Sequence, residues 1–248
     1  MRLNRGFTLI ELIMAMVVLA FISLGIGTYL QLGAQGYTET IHRERLQSEA
    51  RFVIERLTRE IRHAAPNSVS FNSGCLSFYP VYLTATYRNA PTGNEPLTVL
   101  VPPDEQQIAL WDQALENDRV AVGFVSAGDY QADDADSMVI TKVSKRPTMS
   151  DLSATLQLSQ WLGDRSPGQR LYLFSRRVAF CQHGERLIRQ INQEAGEVLT
   201  DKLNRFDVAV SGSGLNSNGL IHFDMTLTDP VSRESSDYSQ SVQVINVL

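Results

Sequence analysis

Apolar positions are laid along this chain in three successive patterns. From Leu12 to Leu32 they are almost continuous, and no charged residue falls between Glu11 and Glu39. From Leu46 to Ala64 they return every three or four residues, at Leu46, Ala50, Val53, Leu57, Ile61 and Ala64. That spacing predicts an amphipathic helix whose other side carries Arg43, Glu44, Glu49, Arg51, Glu55, Arg59, Glu60 and Arg62. Glu55 precedes Arg59 by one turn, a favourable order for a helical ion pair. Pro66 ends the pattern. One helix from Phe7 to Ala65 would be about 88 Å long at the α-helical rise. The stripe is too short for a stable coiled coil, so it is expected to pack on the rest of the chain.

Beyond Pro66 the period changes to two. Ile221, Phe223, Met225 and Leu227 alternate with His222, Asp224, Thr226 and Thr228, the signature of a half-buried strand. Val208 and Val210, then Val242 and Val244, continue the style. Cys75–Tyr79, Leu97–Val101, Val120–Val125, Met138–Val143 and Leu171–Phe180 are further strand candidates, with Pro, Gly, Asn and Asp between them. Pro102–Glu116 is ambiguous and accommodates a short helix. The fold class expected is α+β, with a long N-terminal helix packed on a β-rich globular head. Its divisions are a basic leader at 1–6, a membrane-spanning segment at 7–36, an amphipathic continuation at 37–65 and the head at 66–248.

Composition narrows the function. The chain has 248 residues, of which 43% are hydrophobic and 20% charged, which excludes both a disordered chain and a polytopic membrane protein. Its net charge is −5 with no basic block past the first few residues, so no nucleic-acid surface is expected. Two cysteines and four scattered histidines leave little from which to build a metal site, and no cofactor is implied. An apolar run of about 20 residues spans a bilayer as a helix. Arg2 and Arg5 precede it, so the positive-inside rule keeps Met1 cytoplasmic and exports the chain beyond the helix. A cleaved secretory signal has a shorter apolar core, and the best cleavage candidate, Leu32-Gly33-Ala34, lies far down this one. A plain signal anchor fits the hydropathy but leaves Glu11 unexplained. A carboxylate inside a membrane helix costs roughly 2.5–3.5 kcal/mol at the centre, and less near an edge.

The run Arg5-Gly6-Phe7-Thr8-Leu9-Ile10-Glu11-Leu12, with its basic leader and long apolar helix, resembles the N-terminus of type IV prepilins and type II secretion pseudopilins. The resemblance implies cleavage by a membrane prepilin peptidase between Gly6 and Phe7, then N-methylation of Phe7. It also implies that Glu11 meets the terminal ammonium of a neighbouring subunit in the filament, a pairing that offsets the cost of both charges and favours one axial register. Partners would be the peptidase, other major and minor pilins, and an inner-membrane assembly platform. Where many major pilins carry a helix-bending proline, this chain has Gly25, Gly27 and Thr28. These residues suit either local melting or close helix approach. The segment Ala50–Arg62 further resembles J-type minor pseudopilins and, together with Ala65–Val69 and Cys75–Pro80, still more a minor pilin of mannose-sensitive haemagglutinin (MSHA) pilus biogenesis. Both imply a low-abundance subunit of a tip or initiation complex. The presence of Glu11 argues against a K-type tip subunit.

Export would place Cys75 and Cys181 in an oxidising periplasm, where an even number of thiols usually pairs. A disulfide between them is expected, with two buried free thiols as the alternative. Asp133-Asp134-Ala135-Asp136 fails an EF-hand, because Met138 and Ser144 stand where glycine and glutamate are required, and reads as a solvated turn. Ser211–Gly219 lacks the ending of a phosphate loop and reads as a hairpin or exposed loop. The histidines fall in no nucleophile motif, and His222 reads as the outward side of its strand. No catalytic residue is therefore expected. A membrane-tethered enzyme or sensor, with the helix as a stalk, is the rival class.

Overall fold

The computed structural model describes residues 8–89, 93, 95–112, 118–130, 138–160, 162, 166–192, 194–211 and 219–244. One helix, α1 (Leu9–Arg62, 54 residues), dominates the N-terminal quarter. Its start is set by Thr8, an extended N-cap whose side chain accepts from the Glu11 amide. The helix runs unbroken through Gly25 and Gly27. There the Thr28 hydroxyl donates back to the carbonyls of Leu24 (3.1 Å) and Gly25 (2.9 Å). It stops at His63, before Pro66 and the left-handed Asn67 (φ 62°).

The chain then forms a hairpin of β1 (Ser70–Asn72) and β2 (Cys75–Phe78). It leaves to build β3 (Val81–Tyr87), β4 (Leu97–Leu100), the short helix α2 (Glu105–Trp111), β5 (Arg119–Ala121), β6 (Ile140–Lys145), β7 (Ser153–Leu158) and β8 (Arg170–Phe174). These strands form a six-stranded sheet in the order β5-β8-β3-β4-β7-β6. The chain returns as β9 (Val178–His183), which pairs with β2, followed by β10 (Arg186–Ile191) and β11 (Glu197–Thr200). Together these make a five-stranded sheet, β1-β2-β9-β10-β11. Last comes a three-stranded antiparallel sheet of β12 (Leu203–Ser211), β13 (Gly219–Thr228) and β14 (Ser235–Val244). The six-stranded sheet is thus an insertion between two adjacent strands of another sheet.

Two cores follow from this division. The stripe on α1 (Leu46, Ala50, Val53, Leu57 and Ile61) shares one with Phe78 and Phe180 of the five-stranded sheet and Ile221, Phe223 and Met225 of the three-stranded sheet. The insertion has its own, in which Trp111 of α2 covers Leu83, Val99, Leu156 and Leu173. An aromatic joint lies between them. Tyr130 packs on Tyr79 (5.5 Å between ring centres) and Phe174 (5.1 Å), and its hydroxyl donates to the Pro66 carbonyl at 2.6 Å. Burial pushes the ionisation of that hydroxyl far above the usual tyrosine range.

Several expectations need correction. Leu171–Phe180 is not one strand: Ser175-Arg176-Arg177 carries the chain from β8 in one sheet to β9 in another. The candidate at Val120–Val125 ends at Ala121, where the chain bends toward Gly123 in the left-handed region (φ 68°). Among the described residues, the ion pair one turn apart on α1 is Arg56–Glu60, not Glu55–Arg59. Glu60 is preferred because it also faces Arg189 on β10. Strands β1, β3, β7, β10 and β11 are not among the candidates read from the sequence. The short helix in Pro102–Glu116 is α2, capped by the Asp104 carboxylate on the Gln107 amide at 2.9 Å.

Candidate functional site on the N-terminal helix

Gly6 and Phe7 lie outside the described residues. Glu11 is the first functional candidate within them. Its carboxylate accepts from the Thr8 backbone amide (3.2 Å) and the Thr8 hydroxyl (3.1 Å), while the Glu11 amide donates to Thr8 Oγ1 (3.4 Å). This is a capping box, in which the side chains at the start of the helix satisfy its orphan donors. It holds a carboxylate against the positive end of the helix dipole, one turn from the residue that cleavage would make the terminus.

The helix that begins there is naked. Leu9 is 77% exposed, Leu32 69%, and no residue from Leu9 to Thr40 is buried. Its most apolar window has a mean hydropathy of 2.6 and is long enough to cross a membrane, the one such helix among the described residues. Residues 1–27 match the family model of the prokaryotic N-terminal methylation motif. The chain carries a prepilin-type methylation motif. That motif indicates a type IV pilin- or pseudopilin-type protein, a class that is generally structural and not enzymatic. It implies processing by prepilin peptidase and assembly with other pilins. The apolar helix that continues from the motif fits a membrane-anchored pilin. No curated protein and no solved structure matches the chain.

The half of α1 beyond the motif's reach is fastened to the head by a row of charged contacts. His42 Nδ1 lies 3.5 Å from the buried Asp229 carboxylate, and Arg43 pairs with Glu234 at 2.8 Å. Backbone amides of Ser232 and Val231 also donate to Asp229, each at 2.8 Å, and with His42 they hold its carboxyl below the usual range. Two turns on, Glu49 accepts from Thr200 (2.5 Å) and Lys202 (2.8 Å). That pairing raises the Lys202 ammonium above its ordinary value. At the far end Glu60 accepts from Arg56 (2.5 Å) and from Arg189 Nε through both carboxylate oxygens (2.8 and 2.9 Å). Periodicity alone puts Glu49 and Glu60 on the solvent side of the helix. Their partners on the head, Thr200, Lys202 and Arg189, lie more than a hundred residues away, at a distance where periodicity carries no signal.

Cys75 and Cys181 stand directly opposite each other on β2 and β9 and are joined by a disulfide. On the outer side of the three-stranded sheet, His222 Nδ1 lies 2.9 Å from Ser241 Oγ, and its Nε2 lies 3.3 Å from Ser239 Oγ and 3.4 Å from Asp224. The set looks like a nucleophile relay, but it sits on an open sheet face with both charged side chains more than 40% exposed. Asp133, Asp134 and Asp136, and residues 212–218 of the glycine-rich loop, lie outside the described residues.

Proposed function

We propose that the chain is a minor pilin of type IV pilus biogenesis, cut by prepilin peptidase between Gly6 and Phe7 and N-methylated on Phe7. Residues 1–6 are the leader, 7–36 the anchor, 37–65 the amphipathic continuation and 66–248 the head. The protein sits in the inner membrane with its N-terminus cytoplasmic and its head periplasmic, until an assembly platform passes it into a tip or initiation complex with other pilins. One observation carries this reading: the exposed apolar half of α1 opens on the methylation motif, with Glu11 in its first turn. Such a surface is complementary to lipid and to other helices like itself. The disulfide supports an oxidising compartment for the head.

The segments Ala50–Arg62, Ala65–Val69 and Cys75–Pro80 resemble MshO, a minor pilin of MSHA pilus biogenesis, and favour that system. A J-type minor pseudopilin of a type II secretion system is the second reading, supported by the same Ala50–Arg62 segment. Co-purification with MSHA pilins or with secretion pseudopilins separates the two.

Mass spectrometry of mature protein is expected to show N-methylated Phe7 as the first residue. Glu11→Ala is expected to insert normally and yet fail to enter filaments, because the ammonium of a neighbouring Phe7 loses its partner in a medium of low dielectric. Removing one member of a buried pair costs about 3–5 kcal/mol. Arg51→Ala, on the exposed side of α1, serves as the control. Subunit recovered in sheared filaments, normalised to its membrane level, is the readout. An intact Met1 terminus, or normal recovery of the Glu11 variant, overturns the reading.

A further inference from the structure

Among the described residues, β14 is the longest sheet edge without a strand partner. It pairs with β13 over all ten of its residues without a register shift, and among the described residues its other side pairs with nothing. The phase of the ladder can be read from the turn that precedes it, where the Asp229 amide donates to the Glu234 carbonyl at 2.9 Å. Bonded pairs recur at every second residue in an antiparallel ladder. Ser236, Tyr238, Gln240, Val242 and Val244 therefore bond to β13, and Ser235, Asp237, Ser239, Ser241 and Gln243 turn their amides and carbonyls outward. A side chain agrees with this phase: Gln240 Nε2 donates to the Ser241 carbonyl at 3.0 Å, capping one of the outward groups.

Proteins that keep such an edge from pairing use lysine, proline, a bulge or a very short strand. β14 has none of these. Its one charge, Asp237, is held on the sheet face by the Thr226 hydroxyl at 2.6 Å. Beside the edge lies a groove of about 430 Å³ between Gln240 and the flank of α1, lined by Ile54, Glu55, Thr58, Arg59, Arg62 and His63, so two arginines and a histidine outweigh one carboxylate there. Thr58 Oγ1 is buried there without a hydrogen-bond partner. Arg59, Arg62 and His63 are exposed and make no ion pair with any described residue.

We infer that the β14 edge and this groove form a strand-addition site for an extended segment of a different pilin-type head, bearing a carboxylate over Arg59 and Arg62. The inference rests on the assembly reading above. A second copy of β14 is the wrong occupant. Glu234 meets Arg43, and Gln240 meets the Arg59–His63 end, so β14 and α1 run the same way. Two β14 edges paired antiparallel would point their anchors in opposite directions, which one shared membrane orientation forbids. The incoming strand displaces the Gln240 amide from Ser241, pairs with the outward groups of β14 and lays its alternate side chains in the groove.

The test uses the full-length processed protein, alone in detergent and incorporated in sheared filaments, with hydrogen exchange read amide by amide. The amides of Asp237, Ser239 and Ser241 are expected to exchange freely in detergent and at least about tenfold more slowly in filaments. Those of Tyr238 and Gln240 stay protected in both. Ser239→Pro removes an outward donor that β13 does not use and is expected to lower recovery in filaments about tenfold. Arg59→Glu acts in the same direction without touching the strand, so the test survives if the proline variant misfolds. Wild-type protein that enters filaments with unchanged Ser239 and Ser241 exchange overturns the inference and leaves the assembly reading standing. Protein that never enters filaments overturns both. A disulfide between two copies of Ser241→Cys in filaments overturns the choice of partner.

Discussion

The two halves of α1 are one helix with opposite fates. Up to Thr40 its residues are uniformly exposed, although most are apolar; from Leu46 on, five apolar residues are completely buried among charged ones. Apolar content therefore does not decide burial within the chain. The first half is greasy on every side, so no single sheet could cover it, and none does. The second half confines its apolar residues to one stripe and brackets the stripe with Glu49 and Glu60, which reach basic partners on the head. Its stability belongs to the head, at roughly 25 cal/mol per Å² of apolar surface removed from water. The stability of the first half belongs to whatever surrounds it.

Substitutions on the two sides of this divide are expected to differ most in the core. Leu57→Ala leaves a cavity between α1 and the sheets and lowers the unfolding free energy of the head by about 2–5 kcal/mol. Leu19→Ala leaves that value within about 0.5 kcal/mol, since Leu19 touches nothing in the head. Urea unfolding of the detergent-solubilised chain, followed through the tryptophans, compares the two. Equal effects would mean that the naked half also packs on the head. The clamps come next. Glu60→Ala leaves Arg189 unpaired at a site where its side chain is largely enclosed, and is expected to cost about 1.5–3 kcal/mol. Double-mutant cycles with Arg189→Ala would isolate the pair.

The smallest effects are those of pH. The Asp229 carboxyl is held below its ordinary value of 3.8, so its contribution is complete above that pH. It fades as pH falls through the lowered value. Lys202 is raised above 10.5, so the Glu49–Lys202 contribution is complete below that pH and fades as pH climbs through the raised value. Asp229→Asn should weaken the acid limb of the Tm profile without touching the alkaline one. Lys202→Met should weaken only the part of the alkaline limb above 10.5, leaving the loss that begins near 10, where tyrosines of the unfolded chain ionise and buried Tyr130 does not.

Legibility in the sequence followed the range of the interactions involved. The stripe on α1 and the alternation in β13 were plain because a helix face and a strand face repeat within a few residues. Leu171–Phe180 was misread because both of its parts are apolar; the break at Ser175–Arg177 exists only because the chain changes sheets there. Strand β10 was missed because Arg186, Arg189 and Gln190 spoil its alternation, and Arg189 faces Glu60 across a distance no local pattern spans. At the N-terminus, Glu11 stood out as a charge in a greasy helix. Its capping partnership with Thr8 is equally local, yet the membrane cost of a carboxylate is the stronger signal and masks it.

The disulfide has a mechanical consequence. Cys75 and Cys181, 106 positions apart in sequence, tie adjacent strands at the point where the six-stranded sheet leaves and returns. Tension applied between the anchor and the end of the chain crosses the sulfur bridge and never enters that sheet. The insertion is a side branch hung from a closed ring, and pulling cannot draw out the roughly 350 Å of contour it stores at ~3.3–3.6 Å per residue. A head loaded along α1 can therefore lengthen only through its smaller sheets, while the largest one rides slack beside the line of force.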